Sequence, residues 1–176
     1  SSRIALPQEV PGNGVLSQDG KLLYYYTADA LRCLDLRSGI SRLLKESSSD
    51  FQQVEKIHFG GELLECSVLE GATTQILLIS TQTGETLFSS QIAPQLFTGG
   101  QNFFALWQED GQQLKLFGLR GEKTAKLLPL WEGTFLPQPD QGFVTSWRTE
   151  GGGLDLAWYD LQSDGHYTTT RLEGMD

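Results

Sequence analysis

The side chains best suited to chemistry in this sequence are a carboxylate inside an apolar run and two histidines. Glu65 interrupts the apolar residues 63–68, and a carboxylate buried in such a run needs a hydrogen-bonding partner or a water-filled channel. Structural pairing and a role in ligand binding are both open for Glu65. His58 lies between two apolar residues, where a core or channel-lining position is expected, whereas His166 follows a turn and is expected to be exposed. Two histidines on distant segments offer little for acid–base catalysis.

Metal and phosphate sites are not indicated by the spacing of the available ligands. Asp160, Gln162 and Asp164 resemble the start of a calcium-binding loop, but Arg171 occupies the twelfth position, where such a loop needs a bidentate glutamate. Two cysteines and two separated histidines do not make a structural zinc site. The glycines at 151–153 lack the lysine and the serine or threonine that complete a phosphate-binding loop. We expect no metal ion and no cofactor.

Cys33 and Cys66 each lie within a short apolar run that is typical of a β-strand. Two interpretations of these residues are open. They are two small buried hydrophobic side chains, or they form a disulfide bond, which would suit an oxidising compartment. Their spacing in the sequence does not decide between the two.

The acidic balance of the chain argues against nucleic acids and anionic membranes as partners. Its 13 basic and 22 acidic residues give a formal net charge of −9, and the basic residues are scattered rather than clustered. No apolar stretch approaches the ~20 residues that span a bilayer. The chain also lacks an initiating Met, so we expect it to be part of a longer protein. Any membrane contact is then expected only through segments outside this chain.

Turn-forming residues recur along the chain with a period of about 41 residues, which indicates an internal repeat. Three sets of turns carry this period, and each set has one member in every copy: Gly20, Gly61, Gly100 and Gly142; Asp29, Gly71, Gly111 and Gly152; and Gly39, Gly84, Gly121 and Gly165. Short β-type runs separate these turns. The sequence therefore predicts four four-stranded units within one domain, at approximately 11–46, 51–92, 95–130 and 133–172.

The strands of each unit differ in a way that indicates stacked sheets. The second runs, Leu22–Tyr26 and 103–107, are apolar on both faces, so both faces are expected to be covered. The last runs, 40–44 and 167–172, mix polar and apolar residues, as expected for a solvated edge strand. Helix signals are nearly absent.

The endings of the third strands resemble those of β-propeller blades of the WD40-like, TolB-like and quinoprotein-like kinds. Residues 34–39 and 159–165 carry a hydrophobic-Asp-hydrophobic segment followed by Ser and Gly, and residues 79–84 match it with Ser80 in place of the aspartate. Residues 16–21 are similar to the Ser-Pro-Asp-Gly turn of TolB-like repeats, with Gln18 at the proline position. The resemblance implies an all-β, β-propeller-like fold of about four four-stranded antiparallel blades, in a closed or a partial propeller.

This resemblance implies a binding role more readily than catalysis, because propellers present loops on a rigid scaffold. We predict a non-enzymatic protein-interaction or regulatory domain, with Trp131, Phe135 and Arg148 as candidate binding residues beside Glu65. A more specific form is the extracytoplasmic domain of a bacterial membrane transporter of the ABC-permease type, or of a sensor. The bacterial periplasm is then the favoured compartment and the cytoplasm the alternative. The alternative function is a propeller hydrolase or lyase, or a gating domain attached to a catalytic domain.

Overall fold

The computed structural model describes residues 14–47, 51–99, 102–109, 113–119, 125–127, 136–138, 142–148, 153–160 and 166–172. Within these ranges the chain forms sixteen β-strands, a short 3₁₀ turn at Phe59–Gly61 and no α-helix. The predicted all-β class is confirmed. Among the same residues there is no helix with the length and apolarity needed to cross a membrane.

The strands form four sheets of four strands each, and within every sheet consecutive strands pair in antiparallel fashion. The first sheet contains β1 (Gly14–Leu16), β2 (Leu22–Tyr26), β3 (Ala30–Asp35) and β4 (Ser41–Glu46). The second contains β5 (Phe51–His58), β6 (Leu63–Glu70), β7 (Thr73–Ser80) and β8 (Thr86–Ser90). The third contains β9 (Gln95–Gly99), β10 (Asn102–Glu109), β11 (Gln113–Gly118) and β12 (Ala125–Leu127). The fourth contains β13 (Leu136–Gln138), β14 (Gly142–Arg148), β15 (Leu154–Asp160) and β16 (His166–Leu172).

Four-stranded antiparallel sheets in chain order are the arrangement expected of propeller blades. The chain divides into two compact units, Ser1–Gln91 and Ile92–Asp176, and each unit contains two of the sheets. The predicted four-stranded antiparallel units are therefore confirmed as sheets. Their outer boundaries and their grouping into one domain stay predictions.

Strand β2 is covered on both faces, as its apolar sequence predicts. Tyr24 and Tyr26 project from one face into a core shared by the first and second sheets, whose other buried members are Leu31, Cys33, Val54, Leu64, Cys66, Val68 and Ile79. Leu23 and Tyr25 project from the other face and pack with Leu34 in a second buried cluster. A strand whose neighbouring side chains point to opposite faces can bury all of them only when both faces are packed.

Local hydrogen bonds close the turns that the repeat pattern marked. After β3, Asp35 Oδ1 accepts the backbone N–H groups of Arg37 at 2.8 Å and Ser38 at 2.9 Å. After β7, the hydroxyl of Ser80 takes the same role and accepts the N–H of Thr83 at 3.3 Å. The replacement of the aspartate by Ser80 in the second copy therefore keeps the turn, because both side chains offer an oxygen to the backbone N–H three residues further on.

Both cysteines are free thiols and lie buried in the core between the first and second sheets. Burial raises the pKa of the Cys66 thiol to about 12, so its reactive thiolate form is suppressed. The structure thus agrees with the interpretation of small buried hydrophobic side chains.

We expect neither thiol to react with iodoacetamide in the folded protein at about pH 8, because both are sealed in the core and Cys66 stays protonated there. In denaturant without reductant, both are expected to react, giving two alkyl groups by intact mass spectrometry. A denatured protein that takes up alkyl groups only after reduction would instead show that Cys33 and Cys66 are paired.

Candidate functional site

The connections that follow β1 and β3 in the first sheet and β5 and β7 in the second lie at one end of the first unit. Strand direction alternates within each sheet, so every second connection is at the same end. Arg42 Nη2 on β4 donates to the Thr81 carbonyl at 3.0 Å, which joins the two sheets on this side. A cavity of about 350 Å³ opens here, lined by Ser17, Gln18, Asp19, Leu22, Tyr24, Gly60 and Gly61. We call this side of the first unit the loop end.

The β1–β2 connection at the loop end is held by its own side chains. Asp19 Oδ1 accepts the Ser17 hydroxyl at 2.7 Å and the Lys21 backbone N–H at 3.1 Å, and Lys21 Nζ lies 2.9 Å from Asp19 Oδ2. The hydrogen bonds from Ser17 and Lys21 lower the pKa of Asp19 to about 2. Gly20 adopts a φ of 68° that this tight turn requires. The turn that resembles those of TolB-like repeats is thus a pre-ordered loop whose carboxylate is already engaged.

Two large apolar side chains are exposed at the loop end. Leu16, the last residue of β1, is 54% exposed, and Ile40, which immediately precedes β4, is 69% exposed. Exposed apolar groups on an ordered surface are candidate contacts for another protein.

The β5–β6 connection at the same end has an unusual backbone. Phe59 adopts a φ of 51°, and Gly60 and Gly61 follow with φ values of 65° and 108°. A left-handed conformation costs a residue with a Cβ atom roughly 1–2 kcal/mol. The Thr81 hydroxyl braces the segment by donating to the Gly61 carbonyl at 2.8 Å. Strain held in this way is a feature of binding and catalytic segments, which makes this connection part of the candidate site.

Glu65 has a side-chain partner. It is only 9% exposed, and its Oε2 lies 2.8 Å from His58 Nε2. The hydrogen bond from His58 and the nearby Lys56 charge lower the pKa of Glu65, although burial opposes them. Because an ionised carboxylate can only accept, Nε2 of His58 carries the donated proton. The pair gives Glu65 the partner that its burial requires, while its predicted role in ligand binding stays a prediction.

A β-bulge in β5 makes the pairing of His58 with Glu65 possible. The register shifts between Val54 and Lys56, so that Ile57 packs against the core shared with the first sheet and His58 lies opposite Leu63. An extra residue in one strand reverses the faces of the residues that follow it. His58 therefore lies on the face that carries Glu65 instead of on the core face.

A second polar contact lies on the same face of the second sheet and was missed by sequence reasoning. The Ser67 hydroxyl, which is buried, donates to Glu55 Oε1 at 2.6 Å. Ser67 follows Glu65 by two residues in β6, so the two side chains project from one face. This two-residue spacing was the signal available in the sequence.

The side chains of the other three predicted binding residues are not described by the structure. Trp131 and Phe135 lie outside the described residues. Arg148 ends β14, where its backbone pairs with Leu154, and nothing further is described for it. All three stay predictions. Within the described part of the chain, no three His, Cys, Asp or Glu side chains are close enough to hold a metal ion.

The turn of the fourth sheet that resembles the start of a calcium loop also lies mostly outside the described residues, from 161 to 165. Arg171, at the position where a calcium loop would need a glutamate, instead forms a two-point contact with Asp155. Its Nε lies 2.8 Å from Oδ1, and its Nη2 lies 3.1 Å from Oδ2. The contact joins directly paired residues of β15 and β16, so it stabilises the pairing of these two strands.

No protein-family model and no curated protein matches this sequence. Similar folds occur among solved structures at low sequence identity. TolB from Acinetobacter baumannii is 14% identical with a TM-score of 0.42, over 97% of this chain and 45% of TolB. The WD40 domain of SCAP from fission yeast is 13% identical with a TM-score of 0.44, over 94% of this chain and 46% of that one. The computationally designed Ika4 protein is 15% identical with a TM-score of 0.40, over 98% of this chain and 99% of the Ika4 chain.

This chain thus spans less than half the length of the TolB and SCAP chains. Similarity at this level concerns the fold alone. The strand order of the four sheets carries the structural conclusion. The chain has the repeat architecture of β-propeller proteins, as the sequence pattern predicts.

Proposed function

We propose that this chain is a non-enzymatic interaction domain that binds a protein partner through the loop end of its first unit. The observation that carries the proposal is the exposure of Leu16 and Ile40, at 54% and 69%, beside loops already ordered by their own hydrogen bonds. Binding to a pre-ordered surface avoids the entropic cost of ordering loops on association. Apolar side chains on such a surface can be buried by a partner at little further cost.

In its more specific form, the proposal makes this chain a regulatory domain of a bacterial transporter of the ABC-permease type, or of a sensor, outside the cytoplasm. Membrane attachment is assigned to segments beyond these residues. An apolar segment of ~20 residues elsewhere in the full-length protein supports this form, and a full-length protein without one contradicts it. Trp131, Phe135 and Arg148 are proposed as further contacts with the partner.

Site-specific photo-crosslinking tests the interaction. A benzoylphenylalanine at Ile40 is expected to give one discrete adduct in cells of the source organism, because the partner covers this position. The same probe at Thr74, an exposed residue of β7 near the opposite end of its sheet, is the matched control and is expected to give none. Adducts of equal yield at both positions would argue against the loop end as the binding surface.

With the crosslinked partner purified, Ile40→Asp is expected to weaken binding at least about tenfold, because a charge replaces an apolar side chain that the partner buries. Thr74→Asp introduces the same charge elsewhere and is expected to leave the affinity unchanged. Isothermal titration calorimetry measures both variants. An unchanged affinity for Ile40→Asp contradicts the proposal.

The second candidate function is catalysis, as a propeller hydrolase or lyase, and one observation favours it. Glu65 holds His58 by a 2.8 Å hydrogen bond, and a carboxylate that orients an imidazole is an arrangement used for general bases. A hydrolase or lyase activity that co-purifies with the chain and is lost in His58→Gln would favour this candidate over the interaction domain. Retention of the same activity in His58→Gln would remove this pair from consideration.

A further inference from the structure

A second cavity lies at the opposite end of the first sheet from the loop end. It has a volume of about 530 Å³ and forms where the β2–β3 turn meets the end of β4. Among the described residues, its lining consists of Asp29, Ala30, Arg32, Leu43, Glu46 and Ser47. The Ser47 backbone N–H donates to the Asp29 carbonyl at 2.8 Å, so the two sides of the cavity are tied together.

Arg32 is the unusual group of this cavity. The register of β3 and β4 shifts between Leu31 and Arg32, which places Arg32 directly opposite Leu43. Its Nε is sealed from solvent and has no hydrogen-bond acceptor. A buried donor without an acceptor is costly, more so when it carries charge. Arg32 as a whole is only half-buried and lines the cavity, so a ligand carboxylate there would meet a guanidinium that has no ion-pair partner among the described residues.

The cavity also carries two carboxylates that leave Arg32 unpaired. Asp29 and Glu46 are both exposed, and among the described residues neither forms an ion pair with Arg32. Asp29 Oδ1 already accepts the Thr27 hydroxyl at 2.7 Å, which fixes the orientation of this carboxylate. The hydrogen bond from Thr27, with a smaller contribution from the charge of Arg32, lowers the pKa of Asp29, so opposite charges line one cavity without a direct ion pair among the described residues. Ala30 and Leu43 add an apolar wall.

We propose that this cavity binds a small zwitterion, an apolar α-amino acid. Its carboxylate binds Arg32, its ammonium group binds Asp29 and Glu46, and its side chain packs on Ala30 and Leu43. A guanidinium matches a carboxylate with two parallel hydrogen bonds. A simple anion would be repelled by the two acidic residues, and a simple cation would be repelled by Arg32, whereas a zwitterion satisfies both. The site is separate from the loop end, so it goes beyond the proposed partner interaction and is tested apart from it.

An NMR titration with three related probes tests the proposal. L-leucine is expected to shift the backbone amide signals of residues 29–32 and 46–47, with a Kd on the order of millimolar for so small a ligand in an open cavity. N-acetyl-L-leucine lacks the ammonium group and L-leucinamide lacks the carboxylate. Each is expected to bind at least about tenfold more weakly, because each loses one charge-assisted contact.

Matched variants assign the contacts. Arg32→Gln and Glu46→Gln are each expected to weaken L-leucine binding at least about tenfold. Arg37→Gln and Glu70→Gln make the same changes of charge at exposed positions that do not line the cavity and are expected to leave binding unchanged. Glu46 is exposed on the edge strand, so its variant keeps the test valid even if Arg32→Gln unfolds.

The proposal is overturned if L-leucine causes no shifts at tens of millimolar, or if the shifts map away from the cavity. It is equally overturned if the acetylated probe binds as well as L-leucine. Loss of partner binding at the loop end would leave this result untouched, so failure of one proposal is distinguishable from failure of the other.

Discussion

Gly84→Ala is expected to destabilise the first unit by about 2–5 kcal/mol, from a strained backbone together with steric overlap. Gly84 has a φ of 74°, a conformation that residues with a Cβ atom rarely adopt. A methyl group at this position would overlap the carbonyl oxygen of Leu44 in β4. This oxygen belongs to the neighbouring sheet, so neither backbone can move away without disturbing the contact of Arg42 with Thr81.

Gly39→Ala is the matched control. Gly39 occupies the equivalent turn of the first sheet with a φ of 72°, but an added methyl group there would meet no atom within 4 Å. Only the strain of the left-handed backbone applies here, so we expect the free energy of unfolding to fall by about 1 kcal/mol. Urea unfolding followed by circular dichroism measures both variants. Equal losses for the two would show that Gly84 does not lie against β4 as described.

His58→Leu is expected to lower the free energy of unfolding by about 1–3 kcal/mol at neutral pH, because it leaves the largely buried Glu65 carboxylate without its donor. The positive charge of Lys56 also stabilises the ionised Glu65, so it offsets part of this loss of stability. The double variant His58→Leu/Glu65→Met removes the charge as well and is expected to recover most of the stability. A double variant no more stable than His58→Leu would show that the loss comes from packing.

Acidification should affect the wild type and His58→Leu in opposite directions. In the wild type, the folded protein holds the pKa of Glu65 below its ordinary value of 4.5. The stabilisation from Glu65 is therefore complete above pH 4.5 and is lost as the pH falls through the lowered pKa. In His58→Leu, burial without a donor is expected to raise this pKa, so acidification relieves the destabilisation.

The stability difference between the two proteins should therefore shrink as the pH falls from neutral towards 4.5. Urea unfolding at a series of pH values measures it, and His58→Leu/Glu65→Met serves as the reference that lacks the Glu65 carboxylate. A difference that stays constant over this range would mean that the carboxylate of Glu65 does not depend on His58.

The turns of the repeat were predictable because their chemistry is local. Asp35 and Ser80 accept hydrogen bonds from backbone groups two or three residues further on, so the sequence of each turn contains all the atoms involved. Gly39 and Gly84 supply the left-handed backbone that each turn needs. The apolar run of β2 predicted coverage on both faces for a similar reason, since alternation of side chains is a property of any strand.

The candidate site was less predictable. Glu65 was identified as a carboxylate that needs a partner, but its partner depends on the bulge between Val54 and Lys56. With a regular β5, His58 would lie on the same face as Val54 and point into the core. No residue type at these positions predicts the bulge. The exposure of Leu16 and Ile40 could not be predicted from the sequence either, since apolar residues in short strand-like runs are usually buried.

The sequence by itself determined the number and order of the strands, the turns between them and the need to cover both faces of the inner strands. These properties depend on residue type and on contacts within a few residues. Only the tertiary structure decided which polar groups meet, that both thiols are free and buried, and that Arg32 borders a cavity with no acceptor for its Nε. Such properties depend on strand register and on the packing of separate sheets, where a shift of one residue exchanges the two faces of a strand.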